Sequence, residues 1–340
     1  MVDGNSPRRE RGEMRALVNS APVFAALDLG THNCRLLAAC PVGDGFRVVD
    51  AFSRIVRLGE GLVHSDRLSE PAMDRAIDAL KVCAQRMRRL GVSKGRNVAT
   101  EACRRAANCD EFIERVLAET GLDIEIISPV EEARLALDGC ATLLEREREF
   151  AVVFDIGGGS TELMWLSAAG GREVRIEESM SLPYGVVTLA ERYGGDRLPE
   201  SAYREIVAKV MRRVAPFEER HQIRNRIAAG VVQMLGTSGT VTTLAGVHLG
   251  LDRYNRTAVD GAYLTFEDVA SLSRSLAAMD LTGRSAHPCI GPKRADLVVA
   301  GCAILEAICA TWPVGRLRVA DRGVREGILL GLIRSAEAGA

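Results

Sequence analysis

Short apolar runs separated by glycine, proline and polar residues recur along the chain, which is the pattern of strands buried within a sheet. The run at 24–28 leads into strands predicted at 35–39 and 46–56, and the same succession starts again at residue 151. Further strands are predicted at 97–100, 124–127, 151–155, 161–166 and 173–179, and helices at about 69–90, 108–120, 131–144, 240–248, 294–309 and 324–333. Strands that alternate with helices predict an α/β fold.

The two successions of strands form an internal repeat. AALDLGTHNCRLL and VVFDIGGGSTELM align with an offset of 127 residues, which places Asp28 on Asp155. A hairpin turn follows each copy, and the second of these turns is predicted at 168–171. A single repeat of this length predicts two related lobes that face each other, because solenoid repeats are shorter.

Each copy carries an Asp-x-Gly turn directly after its buried strand. Glycine lets backbone N–H groups approach an anion closely, and successive amides form a phosphate-binding nest. Three consecutive glycines weaken a hairpin, so their presence in the second copy needs a reason. The first turn contains Gly30, Thr31, His32 and Asn33, and the second contains Gly157, Gly158, Gly159, Ser160 and Thr161. His32, Ser160 and Thr161 are candidate side-chain donors.

Two carboxylates frame the second turn. Asp155 precedes the glycines and Glu162 follows the hydroxyl residues. Both supply hard oxygen ligands, which Mg²⁺ accepts while it keeps waters and substrate oxygens. The turn is neither a P-loop, since it lacks Gly-Lys-Ser/Thr, nor a dinucleotide fingerprint, since no helix opens after the third glycine.

A third glycine-rich turn contains Gly236, Ser238 and Gly239. It follows an apolar run at 227–235 and precedes the helix predicted at 240–248. Free N–H groups at the start of a helix favour an anion. An ordinary capped helix start explains the same pattern, so this turn adds weight only beside the other two.

Charged residues at two other turns are candidates for chemistry. Glu131 and Glu132 open a predicted helix, where carboxylates are either solvated partners of the helix dipole or, beside a phosphate, able to orient or deprotonate water. Arg104 lies between a strand end and a helix. A guanidinium there clamps phosphate or lies on the surface.

The charge balance excludes one class of partner. With 45 acidic and 44 basic residues the formal net charge is −1, so a general affinity for nucleic acid is not expected. Forty of the basic residues are arginines, a bias that a GC-rich genome explains but that also suits bidentate phosphate capture. A polyanion would therefore have to meet a local cleft.

Cysteine usage and the termini indicate a compartment. Nine cysteines without a C-x-x-C pair give no support for a zinc ribbon, and free thiols fit a reducing environment. Residues 1–20 are charged and lack the apolar core of a signal peptide. No run of 18 apolar residues suggests a membrane span. We therefore expect a cytoplasmic protein with a disordered tail at 1–20.

These motifs together resemble the exopolyphosphatase and guanosine pentaphosphate phosphatase (Ppx/GppA) family, within the superfamily of actin, sugar kinases and heat-shock ATPases. The resemblance covers residues 24–332. It rests on FAALDLGTHNCRLL, VRLGEGL, ATEACRRA, EIISPVEEARLA, FDIGGGSTELM, LPYGVV and LGTSGTVTTLA. The combination of DIGGGSTEL with EEARL is the most specific part.

The resemblance implies roles for individual residues. Glu132 would be the catalytic carboxylate that activates water, and Asp155 and Glu162 would lie at a Mg²⁺ or another divalent cation. Gly157, Gly158, Gly159 and Ser160 would cradle phosphate, with Asp28, Thr31 and Arg104 on the opposite wall. The first turn departs from the family's usual Asp-x-Gly-Ser-Asn-Ser, because Thr31, His32 and Asn33 follow its glycine.

The resemblance also implies an architecture: two ribonuclease-H-like α/β lobes of the actin type, each with a mixed five-stranded sheet flanked by helices, and a cleft between them. The expected division is a tail at 1–20, a first lobe at 21–147 plus about 324–340, and a second lobe at 148–323. The chain stops at 340 without the C-terminal helical region of long family members. Processive digestion of long polyphosphate is therefore not expected.

The expected function is a hydrolase that releases terminal phosphate from inorganic polyphosphate, from pppGpp, or from both. Two alternatives stay open. One is a non-catalytic or weakly catalytic regulator that binds guanosine penta- or tetraphosphate, and the other is an ATP-using kinase of the same superfamily. No nucleic-acid or membrane partner is expected, and a homodimer is left open.

Overall fold

Two β-sheets organise the part of the chain that this computed structural model describes, residues 21–168 and 174–338. The tail predicted at 1–20 lies outside the described residues, as do most of the turn predicted at 168–171 and the last two residues of the chain. The predicted mixed α/β architecture with two sheets is confirmed.

The first sheet has five strands in the order β3-β2-β1-β4-β5. They are β1 (Val23–Leu29), β2 (Asn33–Val42), β3 (Gly45–Ile55), β4 (Val92–Ala99) and β5 (Glu125–Ile126). β1, β2 and β3 form an antiparallel meander, while β4 and β5 run parallel to β1. The central strand β1 consists mainly of small and apolar residues because it is covered on both faces.

The second sheet repeats this arrangement and extends it. Its strands are β6 (Phe150–Ile156), β7 (Thr161–Ser167), β8 (Arg175–Leu182), β9 (Val232–Thr237), β10 (Tyr263–Thr265) and β11 (Arg316–Ala320). The order is β10-β11-β9-β6-β7-β8, with β6, β7 and β8 antiparallel and β9 parallel to β6. The short edge strand β10 makes this sheet six-stranded where the sequence predicts five. Only three residues form it, which is too short for a periodic signal.

Helices cover both faces of the sheets. They are α1 (Leu62–Ser65), α2 (Glu70–Arg89), α3 (Glu101–Arg105), α4 (Cys109–Thr120), α5 (Pro129–Cys140), α6 (Val186–Tyr193), α7 (Glu200–His221), α8 (Ile223–Ala228), α9 (Gly239–His248), α10 (Arg256–Val259), α11 (Phe266–Ala278), α12 (Leu281–Ala286), α13 (Val298–Thr311) and α14 (Val324–Glu337). The helix predicted at 294–309 begins only at Val298, because turns occupy the preceding segment 292–297. No helix among the described residues is both long and apolar enough to cross a membrane.

Helix α5 lies between the two sheets. Leu135 and Ala136 pack with the first sheet, whereas Ala133, Leu137 and Cys140 pack against the second. The spacing of the second set, four and three residues, is that of one helical face. The helix therefore carries its N-terminal residues, including the paired glutamates, to the junction of the sheets.

Candidate active site

A cavity of about 540 Å³ opens where the two Asp-x-Gly turns face each other. Both turns have the same backbone: the amide of Gly30 donates to Asn33 O at 2.9 Å, and the amide of Gly157 donates to Ser160 O at 2.9 Å. The turns therefore form two matching walls, one from each sheet.

The consecutive glycines of the second turn permit its close approach to the first. A Cβ on Gly158 would lie 3.1 Å from Thr31 Cβ, and a Cβ on Gly159 would lie 2.7 Å from Thr31 Oγ1. The distance at Gly159 is shorter than Cβ contacts in proteins, and the distance at Gly158 is tighter than most, so a side chain at either position would displace Thr31. Direct contact between the two walls is thus the physical reason for a Gly-Gly-Gly sequence that otherwise weakens a hairpin.

The third glycine-rich turn closes another side of the cavity. Ser238 adopts a left-handed conformation with φ 85°, and its hydroxyl donates to Ile156 O of the second turn. Helix α9 starts at Gly239, so its first amides have no partner within the helix and lie at the cavity wall. Gly239 lies close to the Arg294 guanidinium, since a Cβ there would be 3.9 Å from Arg294 Cζ.

Glu132 reaches the cavity from the first turn of α5. Ser128 caps this helix by accepting a hydrogen bond from the Glu131 amide at 3.2 Å. The Glu132 carboxylate accepts a hydrogen bond from Arg104 at 2.8 Å. Burial raises the pKa of Glu132 well above its usual value, and the neighbouring Glu162 raises it further, against the opposing effect of Arg104. A carboxylate held in this way is a stronger base than an exposed one.

Three further carboxyl groups gather near Glu132. Burial raises the pKa of Asp155 to about 6 and that of Glu162 to about 7, and it also raises the pKa of Asp28. Besides burial, the negative charge of Asp28 raises the pKa of Asp155, and that of Asp155 raises the pKa of Glu162. Such a group of hard oxygen donors is what a divalent cation neutralises.

The shape of this group limits how a cation could be held. Within residues 21–168 and 174–338, no three His, Cys, Asp or Glu side chains converge closely enough to hold a metal ion by themselves. Mg²⁺ usually takes one or two carboxylates and completes its shell with water and phosphate oxygens. The donor set therefore fits Mg²⁺ better than it fits an ion that requires a full protein cage.

Three arginines point the opposite charge into the same cavity. Arg35, Arg294 and Arg325 all line it, and none of them forms a salt bridge in the described part of the chain, although nearby Arg256 and Arg322 do. Burial, followed by repulsion from Arg35, lowers the pKa of Arg294. Partly buried cations without carboxylate partners indicate a site for an anion.

Comparison with known proteins identifies the chain. A sequence profile of the Ppx/GppA phosphatase family matches residues 40–336. The chain belongs to this family. The resemblance found in the sequence is therefore confirmed.

Relatives within the Ppx/GppA family align with most of the length of this chain. Guanosine-5'-triphosphate,3'-diphosphate pyrophosphatase of Aeromonas hydrophila is 29% identical over 317 residues, which is 93% of this chain and 60% of that protein. The crystal structure of an exopolyphosphatase from Cytophaga hutchinsonii matches with a TM-score of 0.82 and 25% identity, over 92% of this chain and 98% of that one. The Aquifex aeolicus family member matches with a TM-score of 0.74 and 27% identity, over 93% and 98% of the two chains. This chain thus spans about 60% of the length of the Aeromonas protein.

Most residues predicted for the site of this Ppx/GppA chain line the one cavity. They are Asp28, Gly30, Thr31, His32, Asn33, Glu132, Asp155, Gly157, Gly158, Gly159, Ser160, Ser238 and Gly239. Four others lie behind the wall. The Arg104 guanidinium is committed to Glu132, Glu101 and Ile127 O, so its predicted contact with phosphate would be indirect.

The other three lie behind the wall for separate reasons. Thr161 is fully buried and donates to Tyr184 O at 2.7 Å. Gly236 is covered by Phe154, whose ring would lie 2.5 Å from an added Cβ. Glu162 is 2% exposed and accepts hydrogen bonds from Ser160 and Ser181 at 2.6 and 3.0 Å. Glu162 therefore orients Ser160, and its position favours an indirect contact with a cation.

Sequence reasoning missed the cavity arginines. One signal was available for Arg35: it aligns with Glu162 at the offset of the repeat and lies in a strand of otherwise apolar residues. Arg294 and Arg325 follow turns without a glycine-rich motif, and only the fold brings them to the cavity.

Proposed function

We propose that this Ppx/GppA chain hydrolyses the terminal phosphoanhydride bond of inorganic polyphosphate, of pppGpp, or of both. The observation that carries the proposal is a partly buried carboxylate, Glu132, in a cavity that also contains three amide-rich turns and arginines without a salt bridge to any described residue. The relatives named above as a pyrophosphatase and an exopolyphosphatase support the same reaction class.

Recognition of the phosphates would come from both walls. The arginines Arg35, Arg294 and Arg325 offer fixed donors for phosphate oxygens, and the turn amides offer further ones. Phosphoryl transfer requires positioning and charge neutralisation more than covalent chemistry. A cavity with this composition meets both needs without a nucleophilic side chain.

Mg²⁺ would be held at Asp155, with Glu162 acting through Ser160. When bound, the cation neutralises charge on the phosphate oxygens and on the carboxyl groups. Burial, and to a lesser extent repulsion between the carboxylates, raises the pKa values of Asp155 and Glu162 to about 6 and about 7. These values support the assignment, because a bound cation compensates both costs of the charged form.

Glu132 would take the proton from the attacking water. The water oxygen forms a bond to the terminal phosphorus, the bond from that phosphorus to the bridging oxygen breaks, and the bridging oxygen leaves on the shortened chain. The proton passes to the Glu132 carboxylate, and Arg104 keeps that carboxylate directed into the cavity. A base of this kind contributes roughly 10²–10⁴-fold to the rate.

The test compares two adjacent glutamates. Phosphate release is measured with Mg²⁺ from tripolyphosphate, long polyphosphate and pppGpp, for the wild type, Glu132→Gln and the control Glu131→Gln. Glu131 lies beside Glu132 but pairs with Arg96 outside the cavity. We expect Glu132→Gln to lower kcat by about 10³-fold and to retain tripolyphosphate binding in calorimetry, while Glu131→Gln stays near the wild type.

Three outcomes would contradict the proposal. Absence of phosphate release from every substrate, with tight pppGpp binding, would favour a nucleotide-binding regulator. ATP consumption only in the presence of an acceptor would favour a kinase. Unchanged turnover in Glu132→Gln would remove the role assigned to that residue.

A further inference from the structure

A turn behind the first wall of the cavity fixes the backbone of that wall. This β3–α1 turn, residues 56–61, donates from the amides of Val56 and Arg57 to His32 O at 2.9 and 3.0 Å. The amide of Gly59 donates to Thr31 O at 3.0 Å. The β3–α1 turn thus donates hydrogen bonds to the carbonyl groups of the first Asp-x-Gly turn and holds its backbone in place.

The start of helix α6 does the same for the second wall. The amide of Val186 donates to Gly157 O at 3.0 Å, and the amide of Val187 donates to Gly158 O at 2.8 Å. Gly185 packs directly on this turn, because an added Cβ would lie 2.3 Å from Gly158 O. Each wall therefore has its own support on the side away from the cavity.

The two supports are joined to each other across the sheets. The amide of Gly61 donates to Glu191 Oε1 of α6 at 2.9 Å. The Arg57 guanidinium pairs with Asp296 at 2.9 Å, and Asp296 lies two residues beyond the cavity residue Arg294. The backs of both walls and the Arg294 segment are linked by these two contacts.

Two features distinguish this joint from an ordinary packed interface. Arg57 has φ 47°, a left-handed conformation that is unfavourable for any residue with a Cβ and persists only where its surroundings fix it. Beside the contacts lies a second cavity of about 140 Å³. Its wall contains buried polar atoms without a hydrogen-bond partner among the described residues: Glu191 Oε2, Asp296 Oδ1 and both ring nitrogens of His32. The joint, meaning the Gly61–Glu191 and Arg57–Asp296 contacts, is polar and incompletely packed. Its contacts therefore fix the relative position of the two supports more than they add apolar stabilisation.

We propose that Arg57 and Glu191 are positioning residues, which set the separation of the two phosphate-binding walls from outside the cavity. The inference rests on the proposed function for its substrate and goes beyond it in assigning the spacing of the walls to this joint. Loss of either contact lets the walls separate, so phosphate binds less tightly while Glu132 and its chemistry stay intact.

The variants separate positioning from folding. Arg57→Gly removes the guanidinium and also the backbone strain, so its Tm should be no lower than that of Arg57→Ala. Glu191→Ala removes the acceptor for Gly61, whereas Glu191→Gln keeps an acceptor oxygen and should restore function. Arg86→Ala is the matched control, because Arg86 pairs with Asp50 at 2.9 Å within the first sheet and its helix and is similarly exposed.

We expect Arg57→Gly and Glu191→Ala to raise KM for tripolyphosphate about tenfold, with kcat changed by less than about threefold. The charge exchange Arg57→Asp with Asp296→Arg should recover part of the loss, and Arg86→Ala should leave KM unchanged. Unchanged KM in Arg57→Gly and Glu191→Ala would overturn the proposal. A fall in kcat that follows Tm across all variants, including Arg86→Ala, would also overturn it.

Two measurements without turnover keep this test independent of the proposed reaction. Calorimetry with tripolyphosphate should show about tenfold weaker binding to Arg57→Gly even if no phosphate is released. Small-angle X-ray scattering of the free protein should give a larger radius of gyration for Arg57→Gly and Glu191→Ala than for the wild type and Arg86→Ala. Identical scattering from all four proteins would overturn the proposal whether or not the wild type is a hydrolase.

Discussion

The hairpins β1–β2 and β6–β7 are copies of one unit that have diverged at a decisive position. Both end in a turn closed by the same 2.9 Å amide–carbonyl hydrogen bond. In the first hairpin Asp28 stands opposite Arg35, and in the second Asp155 stands opposite Glu162. One cross-strand position therefore carries a cation in one wall and an anion in the other.

This difference gives each wall its own electrostatic task. Burial raises the pKa of Asp28, and the guanidinium of Arg35 opposes that rise. Arg35 also gives the first wall a positive charge, which suits a phosphate. The second wall holds two carboxyl groups with raised pKa values, and suits a cation. Under the proposed function, each half of the duplicated hairpin would therefore bind one partner, phosphate at the first wall and a cation at the second.

The largest effect should follow from separating the hairpins. In Gly159→Ala the new Cβ would meet Thr31 Oγ1 at 2.7 Å and Glu101 Cγ at 2.8 Å. Thr31 belongs to the first wall and Glu101 to helix α3 beside it, so these side chains or the walls themselves must shift, and phosphate release should fall by about 10²-fold or more. Gly331→Ala is the control, because an added Cβ there meets nothing within 4 Å. Equal activity of both variants would show that the walls do not need this contact.

A second prediction tests the phosphate-binding wall and the cation-binding wall by separate measurements. Arg35→Gln should raise KM for tripolyphosphate about tenfold and leave the Mg²⁺ dependence unchanged, because it removes one charge-assisted contact. Glu162→Gln should instead raise the Mg²⁺ concentration needed for half-maximal rate by a similar factor, with little change in KM. Titrations of substrate and of Mg²⁺ measure both quantities. If the two variants have the same effect, the walls do not differ in the way described.

The smallest effect concerns stability and pH. The folded protein holds protons on Asp155 and Glu162 up to pH values of about 6 and about 7, the pKa values of these groups, whereas unfolded carboxyl groups release them near pH 4. The folded state binds more protons between these values, so the free energy of unfolding should decrease as pH rises through that range.

Thermal unfolding in EDTA between pH 5 and 8 measures this decrease, and we expect Tm to fall by a few degrees more in the wild type than in Asp155→Asn/Glu162→Gln. Mg²⁺ should reverse the trend and stabilise the wild type most at the high end. A wild type and double variant with parallel curves in both conditions would contradict the raised pKa values.

The site was predictable from sequence where its residues belong to a turn motif. The glycine-rich turn is recognisable from its three consecutive residues Gly157, Gly158 and Gly159, and Glu132 is recognisable because it opens a helix after Ser-Pro-Val. The reason why glycine is needed at these positions was only partly predictable, since the contact of Gly159 with Thr31 depends on how two hairpins that are distant in sequence meet.

Residues outside such motifs could not be placed in advance. Arg294 and Arg325 reach the cavity through turns whose sequences have no phosphate-binding signature. Glu162 appeared equivalent to Asp155 as an oxygen donor, yet strand register turns it behind Ser160. Local patterns predicted most elements of both sheets, whereas the depth of a side chain in the wall depends on packing between elements far apart in sequence.

The arrangement of α14 has a consequence for biosynthesis. Val324, Ile328 and Leu329 of this helix share an apolar cluster with Phe24 and Ala26 of the first described strand. Leu135 and Ala136 of α5 belong to the same cluster, so this face of β1 is partly covered once α5 has been synthesised, whereas the residues of α14 join it only at the end of translation. The interval between the synthesis of β1 and that of α14 spans most of the sequence. At roughly 5–20 residues per second this interval lasts on the order of tens of seconds. The sheet that emerges first therefore completes its apolar cluster only after every strand of the second sheet has been synthesised, and we expect this face to be the one most exposed to aggregation during synthesis.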